Sequence, residues 1–315
     1  MQVLVTGASG FIGGRLARRL RNGGDEVRCL VRDRDAASTR ALVDEGFEIH
    51  VGDVLRPESL SGAGQGVEVA YYLVHSMGRG GNASDFAERE RRAAEGFGRM
   101  AMQEGIGRAI YLGGLGDNPR SEHLRSRHET ARQLKAHGPP LTYFRAGMVV
   151  GSESESYRTL RYLVERLPAM IAPAWLATRT QPIGIDDVLS YLSQAPHLEA
   201  STGRELQIGG PDVLTYAEML DVMARALGKR PPPKVPIPFI TPWLSSLWIG
   251  LVTPVDVGVA RPLIEGLSTE TVVTDDSARR VFDIEPAGFE ATLRLALAED
   301  ARVPERRPRG LGNRP

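Results

Sequence analysis

The fold of this chain is decided by residues 3–14, VLVTGASGFIGG. The first four of them predict a short buried strand, and the residues after the glycines place apolar side chains at helical spacing. Gly7, Gly10 and Gly13 lie between the two elements at three-residue spacing. A glycine-rich turn between a strand and a helix is the setting in which backbone N–H groups and the helix dipole bind a diphosphate. This stretch therefore predicts a dinucleotide-binding loop, the alternative being a glycine-rich turn without a ligand.

Each glycine of this loop has its own expected role. Gly7 permits the tight turn, Gly10 lets the backbone approach a diphosphate, and Gly13 lets the helix pack close to the strand. The neighbouring residues that we expect to border the same ligand are Ser9, Phe11 and Ile12.

Strands and helices alternate throughout residues 1–150. The further strands are predicted by apolar or β-branched segments at 27–31, 47–51, 67–74, 109–112 and 141–145. Such alternation favours an α/β fold with a Rossmann-type, doubly wound parallel sheet and helices on both of its faces. Ligands of these sheets bind at the carboxyl ends of the strands, so we expect the site to be formed by strand ends.

The second half of the chain, residues 151–300, is less regular and predicts a smaller, mostly helical substrate lobe. Segments near 182–196 are expected to return to the first domain, and 271–275 is predicted as a last strand.

Two further segments stand out by their composition. Residues 301–315 are rich in Arg, Pro and Gly and predict a disordered tail. The most apolar run is WLSSLWIGLV at 243–252, which is shorter than the roughly 18 residues of a membrane span. It predicts either a core helix of the lobe or a surface that contacts lipid, a protein or a hydrophobic substrate.

The overall composition narrows the function classes. Basic and acidic residues are equal at 39 each, so the formal net charge is zero and no nucleic-acid partner is expected.

Cys29 is the only cysteine, which excludes an intramolecular disulfide; it falls in a predicted strand and is expected to be a buried small hydrophobe. The early first strand leaves no room for a signal peptide, so we expect a cytoplasmic protein. No clustered His, Cys or acidic spacing indicates a metal site.

Motifs along nearly the whole chain resemble the NmrA-like, atypical branch of the short-chain dehydrogenase/reductases. They are TGASGFIGG at 6–14, LVRD at 30–33, GDV at 52–54, YYLVHSM at 71–77, YLGGLG at 111–116, QPIGIDDV at 181–188 and IGGPDVLTYAEM at 208–219. The resemblance implies an NAD(P)-binding Rossmann domain over residues 1–150, with Asp53 and Val54 beside the adenine. This branch includes reductases, isomerase-like enzymes and non-catalytic redox sensors, so the reaction stays open.

The end of the second predicted strand indicates which nicotinamide cofactor is preferred. NAD sites carry an acidic residue there, whereas this chain has Val31 followed by Arg32. A guanidinium can bind a 2′-phosphate through two hydrogen bonds, so we predict NADPH over NADH. The alternatives are a solvated surface arginine at position 32, and an Asp53 that caps the short helix beginning near Pro57.

The catalytic pair that the resemblance would imply is missing. Typical short-chain dehydrogenases use Tyr-x-x-x-Lys, but no tyrosine here has a lysine four residues later. Counting back from Glu129, Arg125 stands in the place of the lysine and Ser121 in that of the tyrosine. Arg125 could bind ribose hydroxyls, yet a guanidinium does not deprotonate. The usual serine or threonine at the end of the fifth strand is replaced by glycine at 113–114.

The residues after the fourth strand offer a replacement proton donor. His75 is expected near the nicotinamide ribose, and histidine can donate a proton near neutral pH. Ser76 lies beside it as a second catalytic candidate, and Val74 and His75 are expected to border the cofactor. The alternative for His75 is a backbone hydrogen bond that shapes the loop.

Two classes of function remain. The first is an NADPH-dependent reductase that transfers a hydride to a small hydrophobic acceptor, such as a quinone or an enone. The second is a non-catalytic NADP(H)-binding redox sensor or assembly factor, with residues 243–252 as the partner contact. A sugar-nucleotide epimerase-like enzyme is a third reading, but it would need the tyrosine that is absent.

Overall fold

The computed structural model describes residues 1–74, 83–117, 121–167, 170–236 and 267–302. Three expectations therefore lie outside the described residues: His75, Ser76 and the apolar run at 243–252. Of the tail predicted at 301–315 only residues 301–302 are described, and they are helical instead of disordered.

A seven-stranded parallel sheet forms the centre of the protein. Its strands are β1 (Gln2–Thr6), β2 (Glu26–Val31), β3 (Glu48–Val51), β4 (Val69–Tyr72), β5 (Arg108–Gly114), β6 (Leu141–Ala146) and β7 (Glu205–Ile208). They lie in the order β7-β6-β5-β4-β1-β2-β3. The chain order reverses between β1 and β4, which is where open parallel sheets bind ligands. The predicted Rossmann-type fold is confirmed.

Nine helices of the described residues cover this sheet and build the second half. They are α1 (Phe11–Asn22), α2 (Ala37–Asp44), α3 (Ala83–Gln103), α4 (Glu122–His137), α5 (Glu155–Arg166), α6 (Ile185–Gln194), α7 (Tyr216–Ala226), α8 (Ser277–Val281) and α9 (Phe289–Arg302). Short 3₁₀ turns occupy Pro57–Leu60, Ala174–Ala177, Ala195–His197 and Glu199–Ser201.

Both faces of the sheet are buried, as a parallel sheet requires. Successive residues of a strand point to opposite faces, so the neighbours Tyr71 and Tyr72 enter different cores. Tyr71 joins the core beneath α1 and α6, and its hydroxyl donates to the carbonyl of Leu192 on α6 at 3.0 Å. Tyr72 faces α3 and α4. Cys29 is fully buried on β2, and burial raises its pKa to about 12, so the thiolate is disfavoured at neutral pH.

The second half forms a third core between α5, α7 and α9. Helix α7 begins with a capping box: Thr215 Oγ1 accepts from the backbone N–H of Glu218 at 3.2 Å, and the Glu218 carboxylate accepts from the Thr215 N–H at 2.7 Å. Three pairs of short strands complete this half. They are Val149–Val150 with Ile183–Gly184, Arg179–Thr180 with Leu214–Thr215, and Met170–Ala172 with Lys234–Pro236.

The predicted strand at 271–275 is wrong. The structure forms only an isolated bridge between Thr180 and Thr271 there. The following backbone N–H groups bond to side-chain amide oxygens: Val273 donates to Gln181 Oε1 at 2.9 Å, and Thr274 donates to Gln207 Oε1 at 2.7 Å. Because these donors are already satisfied, the segment does not need a strand partner.

Candidate functional site

The loop between β1 and α1 adopts the conformation that its glycines predict. Gly7 has a φ of +67°, and a Cβ at this position would lie 2.6 Å from the carbonyl oxygen of Leu73. The N–H of Gly10 donates to the Gly7 carbonyl at 2.9 Å, which closes the turn. A Cβ on Gly13 would lie 2.3 Å from the same carbonyl oxygen, so α1 packs directly on the turn. Only glycine fits at positions 7 and 13.

Thr6 fixes this loop at the point where the strand order reverses. Its Oγ1 donates to the carbonyl of Tyr71 at 2.9 Å and accepts from the N–H of Leu73 at 3.0 Å. The hydroxyl therefore ties the end of β1 to the end of β4.

A cleft of about 670 Å³ opens at the carboxyl ends of the strands. Its size falls within the range of roughly 300–1,000 Å³ that is usual for cofactor and ligand sites. Most of the residues expected to bind a cofactor line it: Gly7, Ser9, Gly10, Phe11, Ile12, Gly13, Arg32, Asp53, Val54 and Val74. Topology brings them together because all of them follow strands that end at one edge of the sheet.

One end of the cleft lies beside the tips of β2 and β3. Arg32 is exposed there and makes no hydrogen bond or ion pair within the described part of the chain. The carboxylate of Asp33 turns instead to the backbone N–H of Asp35, at 2.9 Å. Asp53 lines the cleft and also holds the turn before Pro57–Leu60, since its Oδ1 accepts from the Leu55 N–H at 3.0 Å. The N-cap of the 3₁₀ turn is Arg56, and no side chain caps it, so the alternative that Asp53 caps this turn is wrong.

The other end of the cleft is mainly apolar. It is formed around the ends of β5 and β6, and its apolar side chains are Leu112, Leu115, Leu124, Ala146, Met148 and Val149.

Gly113 has a structural reason to be glycine at this end. A Cβ here would lie 2.7 Å from Cε2 and 2.8 Å from the hydroxyl oxygen of Tyr143, whose ring stacks on Tyr111 at 5.2 Å. Tyr143 thus fills the volume of the missing serine or threonine. Burial raises the pKa of Tyr111 to about 12 and that of Tyr143 further, so both phenols stay protonated at neutral pH.

This packing predicts that Gly113→Ala lowers the free energy of unfolding by about 2 kcal/mol, as overpacking does in dense cores. Urea unfolding measures it. Gly107→Ala is the control, because a Cβ there meets only the Glu68 carbonyl at an ordinary 3.5 Å. Equal stability of the two variants would contradict the fit of Tyr143 against Gly113.

Ser121 and Arg125, which stand in the places of the catalytic tyrosine and lysine, do not take up those roles at the start of α4. Ser121 is the N-cap of the helix, with its Oγ accepting from the Leu124 N–H at 3.4 Å. Arg125 is exposed and does not line the cleft. Arg127, two residues further on, does line it, and its Nη1 donates to the Leu112 carbonyl at 3.2 Å. The helical phase explains this difference, because Leu124, Arg127 and Ala131 share one face of α4.

The second half of the chain supplies one wall of the cleft that the sequence did not predict. Residues 153–156, just before and within the first turn of α5, line it. Glu153 pairs with Arg15 of α1, which also pairs with Glu299 of α9. Ser154 caps α5 by accepting from the Tyr157 N–H at 3.2 Å. The ion pairs of Arg15 therefore hold residues 153–156 against α1, the helix that follows the glycine loop.

The cleft lining described here holds few groups that can exchange protons. Its charged side chains are those of Arg32, Asp53, Arg127, Glu153 and Glu155, and no tyrosine, histidine or lysine occurs among these described lining residues. Across the residues that the structure describes, no group of three His, Cys, Asp or Glu side chains is placed to hold a metal ion. No helix in the described ranges is both long and apolar enough to cross a membrane.

The sheet order, the glycine loop and the cleft at the switch point define a Rossmann-type protein of the dinucleotide-binding kind. The sequence pattern of the NmrA-like family matches residues 1–231, and the chain belongs to this family. It is thus an atypical member of the short-chain dehydrogenase/reductases, as its motifs predict.

Known proteins resemble this chain in sequence or in fold, at low sequence identity. The chain is 23% identical over 288 residues to the Arabidopsis thaliana protein named NADH dehydrogenase (ubiquinone) 1 alpha subcomplex subunit 9, mitochondrial, covering 87% of this chain and 71% of that protein. The structure of the NADPH-dependent quinone oxidoreductase QOR2 from Escherichia coli, complexed with NADPH, has a TM-score of 0.72 and 17% identity, covering 93% of this chain and 98% of that one. A Thermotoga maritima UDP-glucose 4-epimerase with UDP-glucose has a TM-score of 0.71 and 13% identity, covering 96% and 99%.

Proposed function

We propose that this protein is an NADPH-dependent oxidoreductase that transfers a hydride to a small hydrophobic acceptor, such as a quinone or an enone. The observation that carries the proposal is a single cleft that joins a glycine loop and Arg32 at one end to an apolar surface at the other. The likeness of the fold to that of an NADPH-dependent quinone oxidoreductase supports it.

The glycine loop fits a diphosphate. Gly10 is exposed in the cleft, and a Cβ added to it would meet only the Gly7 carbonyl, at 3.2 Å. The space above Gly10 is therefore open to a ligand, and the first N–H groups of α1 lie beside it with no acidic residue in the first turn. Backbone N–H groups at a helix N-terminus favour an anion. Ser9, Phe11 and Ile12 would contact the same part of the cofactor.

The adenine half of the dinucleotide would lie at one end of the cleft and the nicotinamide half at the other. Asp53 and Val54 would border the adenine, and Arg32 would bind the 2′-phosphate that distinguishes NADPH from NADH. The nicotinamide would then lie toward Val74 and Gly113, next to the apolar surface. NADPH supplies the hydride when it is bound, and this chain's residues orient the acceptor and exclude water.

The acceptor class follows from the groups at the apolar end. Hydride transfer to a plain ketone needs a proton donor, whereas a quinone or an enone spreads the incoming charge and needs less assistance. Tyrosine, histidine and lysine are absent from the described lining, which favours acceptors of the second kind.

The test is NADPH oxidation by the purified chain with a panel of quinones, enones and simple ketones. We expect turnover with quinones or enones at least about 100-fold above that with ketones, because proton transfer by a positioned group contributes roughly 10²–10⁴ to ketone reduction. Reactions without an acceptor give the background. Tight NADPH binding without turnover across the whole panel would contradict the proposal.

That negative outcome would favour the second function, a non-catalytic NADP(H) sensor or assembly factor. The specific observation behind it is the same lack of a tyrosine, histidine or lysine in the described lining. It predicts a protein partner whose retention on the immobilised chain changes when NADPH is added.

A further inference from the structure

Arg127 is the one arginine or lysine that the described lining places at the apolar end of the cleft. Arg32, the other basic residue of the lining, follows β2 at the opposite end. The Arg127 side chain is half-buried and lines the cleft together with Leu112, Leu115 and Leu124.

The position of Arg127 is fixed by contacts to β5. Its Nη1 donates to the carbonyl of Leu112 at 3.2 Å, one residue before Gly113. Its own backbone carbonyl accepts from the Tyr111 hydroxyl at 3.3 Å. The guanidinium is therefore held beside the strand end where an acceptor above the nicotinamide would lie.

Hydride transfer creates a negative charge that this guanidinium can stabilise. In such a transfer one hydride, carrying two electrons, would leave C4 of NADPH and bond to the quinone, which would give NADP⁺ and a hydroquinone monoanion. The new charge would reside on an acceptor oxygen until that oxygen takes up a proton. Preorganised donors aimed at developing charge are a large source of rate enhancement, and apolar walls strengthen their effect.

We propose that Arg127 is a catalytic residue that hydrogen-bonds the acceptor oxygen and stabilises its developing negative charge. This inference rests on the proposed function. It assigns to a permanently charged guanidinium the electrostatic part of the role that tyrosine has in typical family members, and it does not depend on which group relays the proton.

The test compares Arg127→Gln with Arg132→Gln, an exposed arginine of the same helix whose partner is Glu129. Removing one oxyanion donor commonly lowers kcat about 10²–10³-fold. We expect a loss of about 100-fold for Arg127→Gln with the NADPH Kd within about threefold of wild type, no loss for Arg132→Gln, and partial recovery in Arg127→Lys, which keeps the charge but not the planar fork.

A series of substituted 1,4-naphthoquinones separates an electrostatic role from a structural one. The loss in Arg127→Gln should grow as the reduced anion becomes more basic, whereas a distorted cleft would slow all acceptors by the same factor. A uniform loss, an undiminished kcat in Arg127→Gln, or an equal loss in Arg125→Gln would overturn the inference and leave the proposed function intact. A wild-type chain that reduces no acceptor would overturn both.

Discussion

Gly13→Ala is expected to destabilise the protein by about 3 kcal/mol, the upper end of the usual range for overpacking. The added Cβ would lie 2.3 Å from the oxygen and 2.7 Å from the carbon of the Gly7 carbonyl, and 3.1 Å from the Cα of Ala8. All three are backbone atoms of a turn held by the Gly10 N–H, so none can rotate aside as a side chain would. Urea unfolding of the variant measures the change.

Gly10→Ala is the matched control for that experiment. Its Cβ would meet only the Gly7 carbonyl oxygen at 3.2 Å, so we expect a loss of stability below about 1 kcal/mol. The methyl group would instead occupy the space that a diphosphate needs, and the NADPH Kd should rise about tenfold or more. If Gly13→Ala were as stable as Gly10→Ala, α1 would not pack on the turn as described.

Arg32→Ala is expected to raise the Kd of NADPH by about 10- to 100-fold and to leave that of NADH unchanged. The 2′-phosphate would lose one or two hydrogen bonds to a charged donor, each contributing about 1.5–3 kcal/mol. Calorimetric titration of both cofactors gives the ratio of the two constants. The expected effect is large because Arg32 has no competing partner within the described part of the chain.

Arg34→Ala provides the control for Arg32. This arginine is also exposed and lies two residues further on, but it is not among the residues that line the cleft. It should leave the ratio of the NADPH and NADH constants unchanged. A ratio that is unaffected by Arg32→Ala, or affected equally by Arg34→Ala, would show that the charge at position 32 does not select the cofactor.

The fold was predictable because its signals are local. One short stretch contains the strand, the three glycines and the following helix. The residues after β2 and β3 can be placed at the cleft by the rule that the carboxyl ends of parallel strands lie at one edge of the sheet. Arg32, Asp53 and Val54 could therefore be placed at the cleft without any knowledge of how the sheet packs.

Other parts of the site depend on neighbours that are distant in sequence. Tyr143 fills the volume beside Gly113, and nothing in the sequence around either residue indicates that they touch. The wall at 153–156 comes from the second half of the chain and reaches the glycine loop through Arg15. Such contacts follow from tertiary packing and not from motifs.

The sequence does contain a signal for the basic residue of α4 that lines the cleft, although Arg125 was expected there and Arg127 is found. Counting from Glu129 indicated Arg125, but the helical spacing of Leu124, Ala131 and Leu134 defines the buried face, and Arg127 shares it. Arg125 matches a position in a family pattern, whereas the phase of the helix decides which side chain of α4 faces the cleft. The residues proposed as proton donors, His75 and Ser76, lie outside the described residues and stay a prediction.

A fluorescence titration of the wild-type chain with NADPH and with NADH tests most directly whether the β1–α1 loop binds a dinucleotide. We expect saturable binding of one NADPH per chain, with a Kd at least about tenfold lower than that for NADH. The absence of a saturable signal with either cofactor would contradict the assignment of the β1–α1 loop as a diphosphate site, and the function built on that loop would fall with it.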